Sequence, residues 1–396
     1  MDDKTTLPSP PAPTPRSPTS KKHLFTALSI VTVLATTLYN SATFTTKLTL
    51  PLLQPSNKPL SLTTWLERER PIALQGILAN IGGASGSAAA GANPGIVIAS
   101  PSKSDPDYFY TWTRDAALTI KSLVDELNSS SSLPPWTSSS DLETTIQDYI
   151  SSQATLQGVE NLSGSLCEGG LGEAKFNPDG TPFTGAWGRP QSDGPALRAV
   201  ALVAYARELL SRGAGEEQEG VVRGIVWPVV RNDLSYLMRY WNETTFDLWE
   251  EVRGRSFFTS AVQYRALVEG LWMAGRIGVG CEGCEKLAGM VLCALQDYWG
   301  GGFVVSNLGV DGRSGVDLNS ILTSTHMFDA NAGCDERTFQ PCSGSALANH
   351  KVVTDDFRSL YAVNGGVPAG VGVAVGRYPE DVYMGGNPWL VWACLR

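Results

Sequence analysis

The stretch DLWEEV, Asp247 to Val252, sets three carboxylates and a tryptophan within six positions. Neighbouring carboxyl groups do acid–base work when one is held protonated and the other charged. An apolar neighbour such as Trp249 raises a carboxyl pKa by burial, and a second carboxylate such as Asp247 raises it by repulsion. Asp247 and Glu250 are three positions apart, so a helical turn would put both on one face. Such closeness predicts coupled titration. The plainer alternative is a solvated acidic turn with one tucked tryptophan.

Three other stretches mix aromatics with charge. One runs from Tyr108 through Trp112 to Arg114 and Asp115. A second, Gly185 to Pro190, holds Trp187 and Arg189. A third, Arg377 to Tyr383, contains Glu380 and Asp381 and runs into Gly386-Asn387-Pro388-Trp389. Ring faces stack on the apolar C–H faces of sugars, while Arg and Asp pair with hydroxyls. The mixture suits a neutral, polyhydroxylated ligand. For any single loop, core aromatics with structural ion pairs would explain the composition as well. Four loops of one kind favour a shared site.

Composition narrows the classes. The chain has 396 residues, 42% of them hydrophobic, and a formal net charge of −9. That allows one large domain or two small ones, each with a core. The acidic balance argues against a nucleic-acid groove, which needs clustered Lys and Arg. With three histidines and no cluster at zinc spacing, no metal or other cofactor is expected.

Residues 1–23 are polar and Pro-rich, and read as disordered. Lys21-Lys22 then precedes an apolar run within 24–40. A basic flank before a short apolar run reads as a signal peptide or signal anchor. Residues 41–61 read as a linker. The expected location is secreted, or membrane-anchored with the folded part outside. Asn128, Asn161 and Asn242 head glycosylation triplets. Of seven cysteines, Cys281/Cys284 and Cys334/Cys342 are spaced to close small loops in an oxidising compartment. The first pair could instead be a redox CxxC, but no thioredoxin-like strand–helix unit surrounds it. The odd count leaves at least one thiol without a partner in this chain.

After the linker the apolar spacing is helical. SLTTWLERERPIALQGILANIGG, DLETTIQDYISSQATLQ and the Pro195-led ALRAVALVAYARELL each read as a helix. The last is apolar nearly all round, apart from Arg198, Arg207 and Glu208, and should be buried between neighbours. Further helices are expected near 228–241, 259–274, 282–298 and 346–362, and from 388 onward. GGFVVSN at 301–307 is the best strand. The expectation is an all-α array with its function in loops.

Five longer words carry a family resemblance: YFYTWTRD at 108–115, TGAWGRPQSDGPALRA at 184–199, DLWEEVRGRSFFT at 247–259, THMFDANAGCDERTFQPCSGSALANHK at 325–351 and GRYPEDVYMGGNPW at 376–389. With them the chain resembles the fungal glucoamylases, the glucan 1,4-α-glucosidases of glycoside hydrolase family 15. The resemblance spans about 62–396 and implies an (α/α)6 barrel with a pocket at one end. It implies that Glu250 is the general acid, assisted by Asp247, and that Glu251 binds substrate hydroxyls. It also implies that Arg114 and Asp115 grip the terminal glucose, that Trp187 stacks near the scissile bond, that Arg377 faces the next sugar, and that Tyr108 and Trp112 line the wall. The two cysteine pairs match family disulfides, and Cys293 matches a cysteine whose partner comes later.

The implied reaction releases β-D-glucose from non-reducing ends of α-1,4 chains, with starch, maltose and malto-oligosaccharides as substrates and a monomer as the working unit. Inversion needs a second carboxylate, about 6.5–9.5 Å from the acid, to activate water. In the family that glutamate lies well beyond the stretch ending NPW. The expectation is therefore a domain incomplete at its C-terminus, with no starch-binding domain. The alternatives are a catalytically inactive carbohydrate-binding protein and a trehalase-like hydrolase on the same barrel.

Overall fold

The computed structural model describes residues 61–129, 133–212 and 215–389. The readings made for residues 1–60, and for the segment 390–396, lie outside the described residues.

Among the described residues ten α-helices follow one another: α1 Leu62–Ala79, α2 Thr113–Leu127, α3 Ser139–Gln157, α4 Asp193–Ser211, α5 Glu216–Val221, α6 Trp227–Tyr240, α7 Phe257–Arg276, α8 Cys284–Leu295, α9 Asn319–Met327 and α10 Gly344–Leu360. Helices α2, α4, α7 and α9 pack each against the next. Helices α3, α6, α8 and α10 pack behind them. Every inner helix is thus backed by an outer one, the alternation of an α/α barrel.

Local sequence explains several of these elements. Ser138 caps α3 in a capping box, its side chain accepting from the Asp141 N–H while Asp141 accepts from Ser138. Helix α4 carries Pro195 in its first turn, where a missing N–H leaves no bond unmade. As an inner helix with neighbours on three sides, α4 is buried almost all round. Its one deeply buried cation, Arg198, is paired with Asp233 of α6 at 2.6 and 3.0 Å and also donates to Gln153 of α3 at 3.0 Å. A buried charge is tolerated only with such partners.

The strands are short. β1, Thr111–Trp112, pairs antiparallel with β2, Lys175–Phe176. β3, Thr245–Phe246, β4, Arg253–Ser256, and β5, Asn307–Leu308, form a small antiparallel sheet. GGFVVSN is therefore a strand only at its last residue. Gly301 sits at φ 87°, and the Gly300 N–H bonds back to Phe303 O, so the glycines make a turn there.

Three other expectations change. Arg114 and Asp115 are not in a loop but in the first turn of α2. Its buried face, Ala116, Ala117, Ile120, Leu123 and Val124, had the helical spacing all along. Helix α9 was also not anticipated. Pro388 and Trp389 are not helical. Both proposed cysteine pairs are disulfides, Cys281–Cys284 and Cys334–Cys342, while Cys167 and Cys293 are exposed thiols.

Candidate active site

The inner helices α2 and α4 start side by side. Gly194 lies so close to Thr113 that an added Cβ would come within 3.0 Å of it. Their first turns bring Arg114 and Asp193 together at 2.9 Å. The N-terminal ends of helices carry partial positive charge, so they suit carboxylates. Arg114 is buried, with 7% of its side chain exposed. It also donates to Gln191 at 2.8 Å and to Glu250 at 3.3 Å, and lies 3.6 Å from the half-exposed Asp115. Gln191 in turn donates to the same Glu250 oxygen at 2.9 Å.

Glu250 comes from a different element. The β3–β4 hairpin holds DLWEEV as its connecting loop. The loop closes with the Asp247 N–H bonded to Val252 O and the Glu250 N–H bonded to Asp247 O. Glu250 stands at φ 66°, a left-handed conformation that costs a non-glycine residue about 1 kcal/mol or more. The strain turns its carboxyl toward Arg114 and Gln191. Gly188 packs against this loop: a Cβ there would meet the Phe246 ring at 2.8 Å and Glu250 O at 3.0 Å. Only glycine lets the Trp187 loop lie this close to the acid.

This corrects the helical-turn reading of Asp247 and Glu250. The segment is a strained hairpin loop, and the two carboxyls have different partners. Asp247 is buried and accepts from the backbone N–H groups of Glu251 and Val252 at 3.0 and 3.3 Å. Burial pushes its carboxyl upward, opposed by those two N–H groups. The groups that meet the Glu250 carboxylate are Arg114 and Gln191, not Asp247. Trp249 is directed elsewhere, its indole N–H donating to both oxygens of Asp317 at 3.0 Å.

A second cluster forms beside the first. Glu251 bonds to Arg313 at 2.8 Å, to Arg377 at 2.7 Å and to the Tyr378 hydroxyl. Arg377 is clamped by Asp381 at 2.6 and 2.8 Å. The rings of Trp249, Tyr383 and Trp389 surround its guanidinium at 5.1–5.6 Å. Tyr383 reaches the Tyr108 hydroxyl at 3.0 Å, which links this loop to the start of β1. Trp112 is buried behind Trp187, with ring centroids 5.8 Å apart. Tyr108 and Trp187 keep 37% and 36% of their surface exposed, enough for a ring to stack on a ligand.

A family model described as "Glycosyl hydrolases family 15" matches residues 71–395. The chain belongs to glycosyl hydrolase family 15. It is 55% identical to Glucoamylase-1 of Arthroderma benhamiae over 318 residues, covering 80% of this chain and 50% of that protein. It is 54% identical to a glucoamylase of Neurospora crassa, covering 84% of this chain and 51% of that protein. The solved glucoamylase structure of Hormoconis resinae superposes with a TM-score of 0.77 at 52% identity, covering 83% of this chain and 54% of that one. The chain thus spans about half the length of these relatives. The fold it shares with the family 15 structures is the (α/α)6 barrel, as the family words implied.

Of the residues singled out in the sequence, Arg114, Asp115 and Glu250 meet in the first cluster, Glu251 and Arg377 in the second, and Tyr108, Trp112 and Trp187 in the aromatic wall, while Asp247 holds the hairpin loop between them. Sequence reasoning passed over Gln191, Asp193, Arg313 and Asp317. The first two lay inside a quoted family word, so a signal existed. Asp317 had none, because an isolated aspartate in a loop is unremarkable until Trp249 reaches it.

Asp317 is 2% exposed. Burial, with Asp247 nearby, pushes its carboxyl up to about 8, against the help of the Asn319 and Trp249 N–H groups. A raised folded-state pKa means stability that is full below the ordinary carboxylate range and is lost as pH rises through about 8. Asp317→Asn keeps the acceptor and removes the titration. Urea unfolding at successive pH values should show the variant gaining on the parent from about pH 4 to pH 8, by the order of a few kcal/mol. A stability difference that stays flat with pH would show that Asp317 remains ionised.

Proposed function

We propose that this chain carries the acid and the sugar-gripping side of a glucan 1,4-α-glucosidase site. The proposed reaction is exo-acting release of β-D-glucose, with inversion, from non-reducing ends of α-1,4 glucans. The observation that carries the reading is the cluster of Arg114, Gln191 and Glu250 in one hydrogen-bonded set beside the exposed ring of Trp187.

In this reading Glu250 gives its proton to the glycosidic oxygen as the bond breaks, because an alkoxide leaves poorly. Asp247 assists by fixing the loop through the Glu251 and Val252 N–H groups, not by repelling Glu250. Arg114 and Asp115 bind hydroxyls of the terminal sugar. Glu251 and Arg377, already held in one ion-pair cluster, meet the next one. Tyr108, Trp112 and Trp187 form the apolar wall. None of the residues assigned here has the part of the water-activating glutamate, which the resemblance puts well after the family's NPW stretch. Starch, maltose and malto-oligosaccharides are the proposed ligands of a monomeric protein.

Two measurements test this. Calorimetric titration of the chain with maltose and with trehalose should show maltose preferred. Joining the chain to the downstream segment of the Neurospora crassa relative should give glucose release from maltose, with the β-anomer first. Preference for trehalose would replace the reading with a trehalase-like one. Maltose binding without hydrolysis in the joined protein would leave a carbohydrate-binding protein.

Export is part of the proposal, as a secreted or anchored protein, and the acceptor sites differ in a way that can be checked. Asn128 and Asn242 are exposed. Asn161 already spends both amide hydrogens, on Val159 O at 3.1 Å and Gly170 O at 3.0 Å, and accepts from the Ser163 N–H. A glycan would remove one of these bonds. Glycopeptide mass spectrometry of protein secreted from a eukaryotic host should find sugar at Asn128 and Asn242 and none at Asn161. Full occupancy at Asn161 would contradict this.

A further inference from the structure

The start of α9 reaches both clusters of the site. Asp317, just before the helix, is 2% exposed. Its two oxygens are taken by N–H groups: the Trp249 indole donates to both at 3.0 Å, and the Asn319 N–H to Oδ1 at 2.8 Å. Among the described residues it makes no ion pair, and Arg313 acts on it only from further off. Its carbonyl accepts from the Ser320 hydroxyl at 2.7 Å, which Asn349 of α10 holds at 2.9 Å. The next residue, Leu318, has no exposed surface and donates its N–H to Arg377 O at 2.8 Å. Consecutive residues thus hold Trp249, beside the acid in the hairpin loop, and Arg377, in the loop of the second cluster.

A buried carboxyl without an ion pair is costly. An apolar side chain would avoid that cost, but would leave the indole and Asn319 N–H groups unpaired. What the carboxyl supplies is a fixed point between two loops. The hydrogen-bonded ties made directly from one loop to the other run through Glu251, to Arg377 at 2.7 Å and to the Tyr378 hydroxyl. A sugar that draws on Glu251 and Arg377 competes with those bonds, whereas Asp317 is buried and out of its reach. We propose that Asp317 is a positioning residue, which grips the Trp249 indole and so fixes the spacing of the acid's loop and Arg377 where the second sugar binds. The inference rests on the reading above that Glu251 and Arg377 meet that sugar.

The experiment compares the parent with Asp317→Ala, Asp317→Asn, Trp249→Phe and the double variant Asp317→Ala/Trp249→Phe. All are measured at about pH 6, below the titration of Asp317 at about 8. Calorimetry reads two ligands: maltose, which spans both sugar positions, and deoxynojirimycin, a one-ring glucose mimic for the first. Asp317→Ala removes the acceptor and Trp249→Phe the donor, so each should weaken maltose about tenfold, and the double variant no more than either. Asp317→Asn keeps an oxygen for the indole and should hold maltose within about threefold of the parent. The mimic should stay within about twofold throughout, because its position lacks the broken bond. Equal weakening of both ligands would overturn the proposal, since a general loss of fold does the same. So would losses that multiply in the double variant, or maltose binding as weak in Asp317→Asn as in Asp317→Ala.

Hydrogen exchange reads the loop without sugar. The Glu250 and Glu251 N–H groups bond to the Asp247 carbonyl and carboxylate at 2.9 and 3.0 Å. They should exchange faster in Asp317→Ala and Trp249→Phe, with α4 unchanged. If the parent binds neither ligand, the sugar-site reading fails and this exchange decides the aspartate. Faster exchange confined to the loop supports its role, and an unchanged loop overturns it.

Discussion

Glu250→Gln is expected to keep maltose binding and to lose hydrolysis by about 10²–10⁴-fold, the usual worth of general-acid help. Glutamine keeps one oxygen to accept from Gln191 and Arg114, which now meet Glu250 at 2.9 and 3.3 Å. The pocket should therefore stay shaped for sugar. What the amide cannot do is give up a proton. The comparison belongs in the protein joined to the downstream segment, with glucose release and maltose affinity measured on the same preparation. Near-normal turnover would remove Glu250 from the acid's role. Equal losses of binding and turnover would make it a contact for the sugar instead. Asp247→Asn should act differently. Its carboxylate holds the loop through two backbone N–H groups, so the variant should lower turnover through misplacement of Glu250, with a smaller effect.

Arg114→Leu is the second large effect. Asp193 has no exposed surface, and its Oδ1 has no partner. Its ion pair with Arg114 at 2.9 Å is what compensates its charge. Removing one partner of a buried pair typically costs about 3–5 kcal/mol, because the other is stranded. Chemical unfolding should show a loss of that order, and maltose binding should disappear with it. The double variant Arg114→Leu/Asp193→Asn separates the two roles. Without the stranded carboxylate it should recover at least half of the lost stability. It should not recover maltose binding, because the donor aimed at the Glu250 cluster is still missing. Recovery of binding in the double variant would show that Arg114 serves only the fold.

Much of the architecture was legible in the chain. Helical spacing and Pro195 at the head of α4 are short-range signals, set by neighbours within one or two turns. They placed α1, the outer helices α3, α6, α8 and α10, and the inner helices α4 and α7. They also left three of the four charged, aromatic stretches between helices, while the first runs into α2 at Thr113. The long family words went further and pointed to the barrel and to Glu250. Helix α2 was missed although its spacing was regular, because it begins inside the charged, aromatic stretch with Trp112 at its head and no side-chain cap to mark the start.

What the sequence could not supply is direction. Nothing in DLWEEV says that Glu250 takes a left-handed backbone, or that its carboxyl meets an arginine 136 positions earlier. Those outcomes depend on where the starts of α2 and α4 meet the β3–β4 hairpin. Helix packing decides that meeting, and apolar periodicity fixes which face is buried but not which partner it finds. The same holds for Asp317 under Trp249, 68 positions away. It is an ordinary residue along the chain. It becomes a titrating element only when tertiary contacts strip its water and choose its neighbours, since burial and nearby dipoles, not residue type, set the energy of a charge.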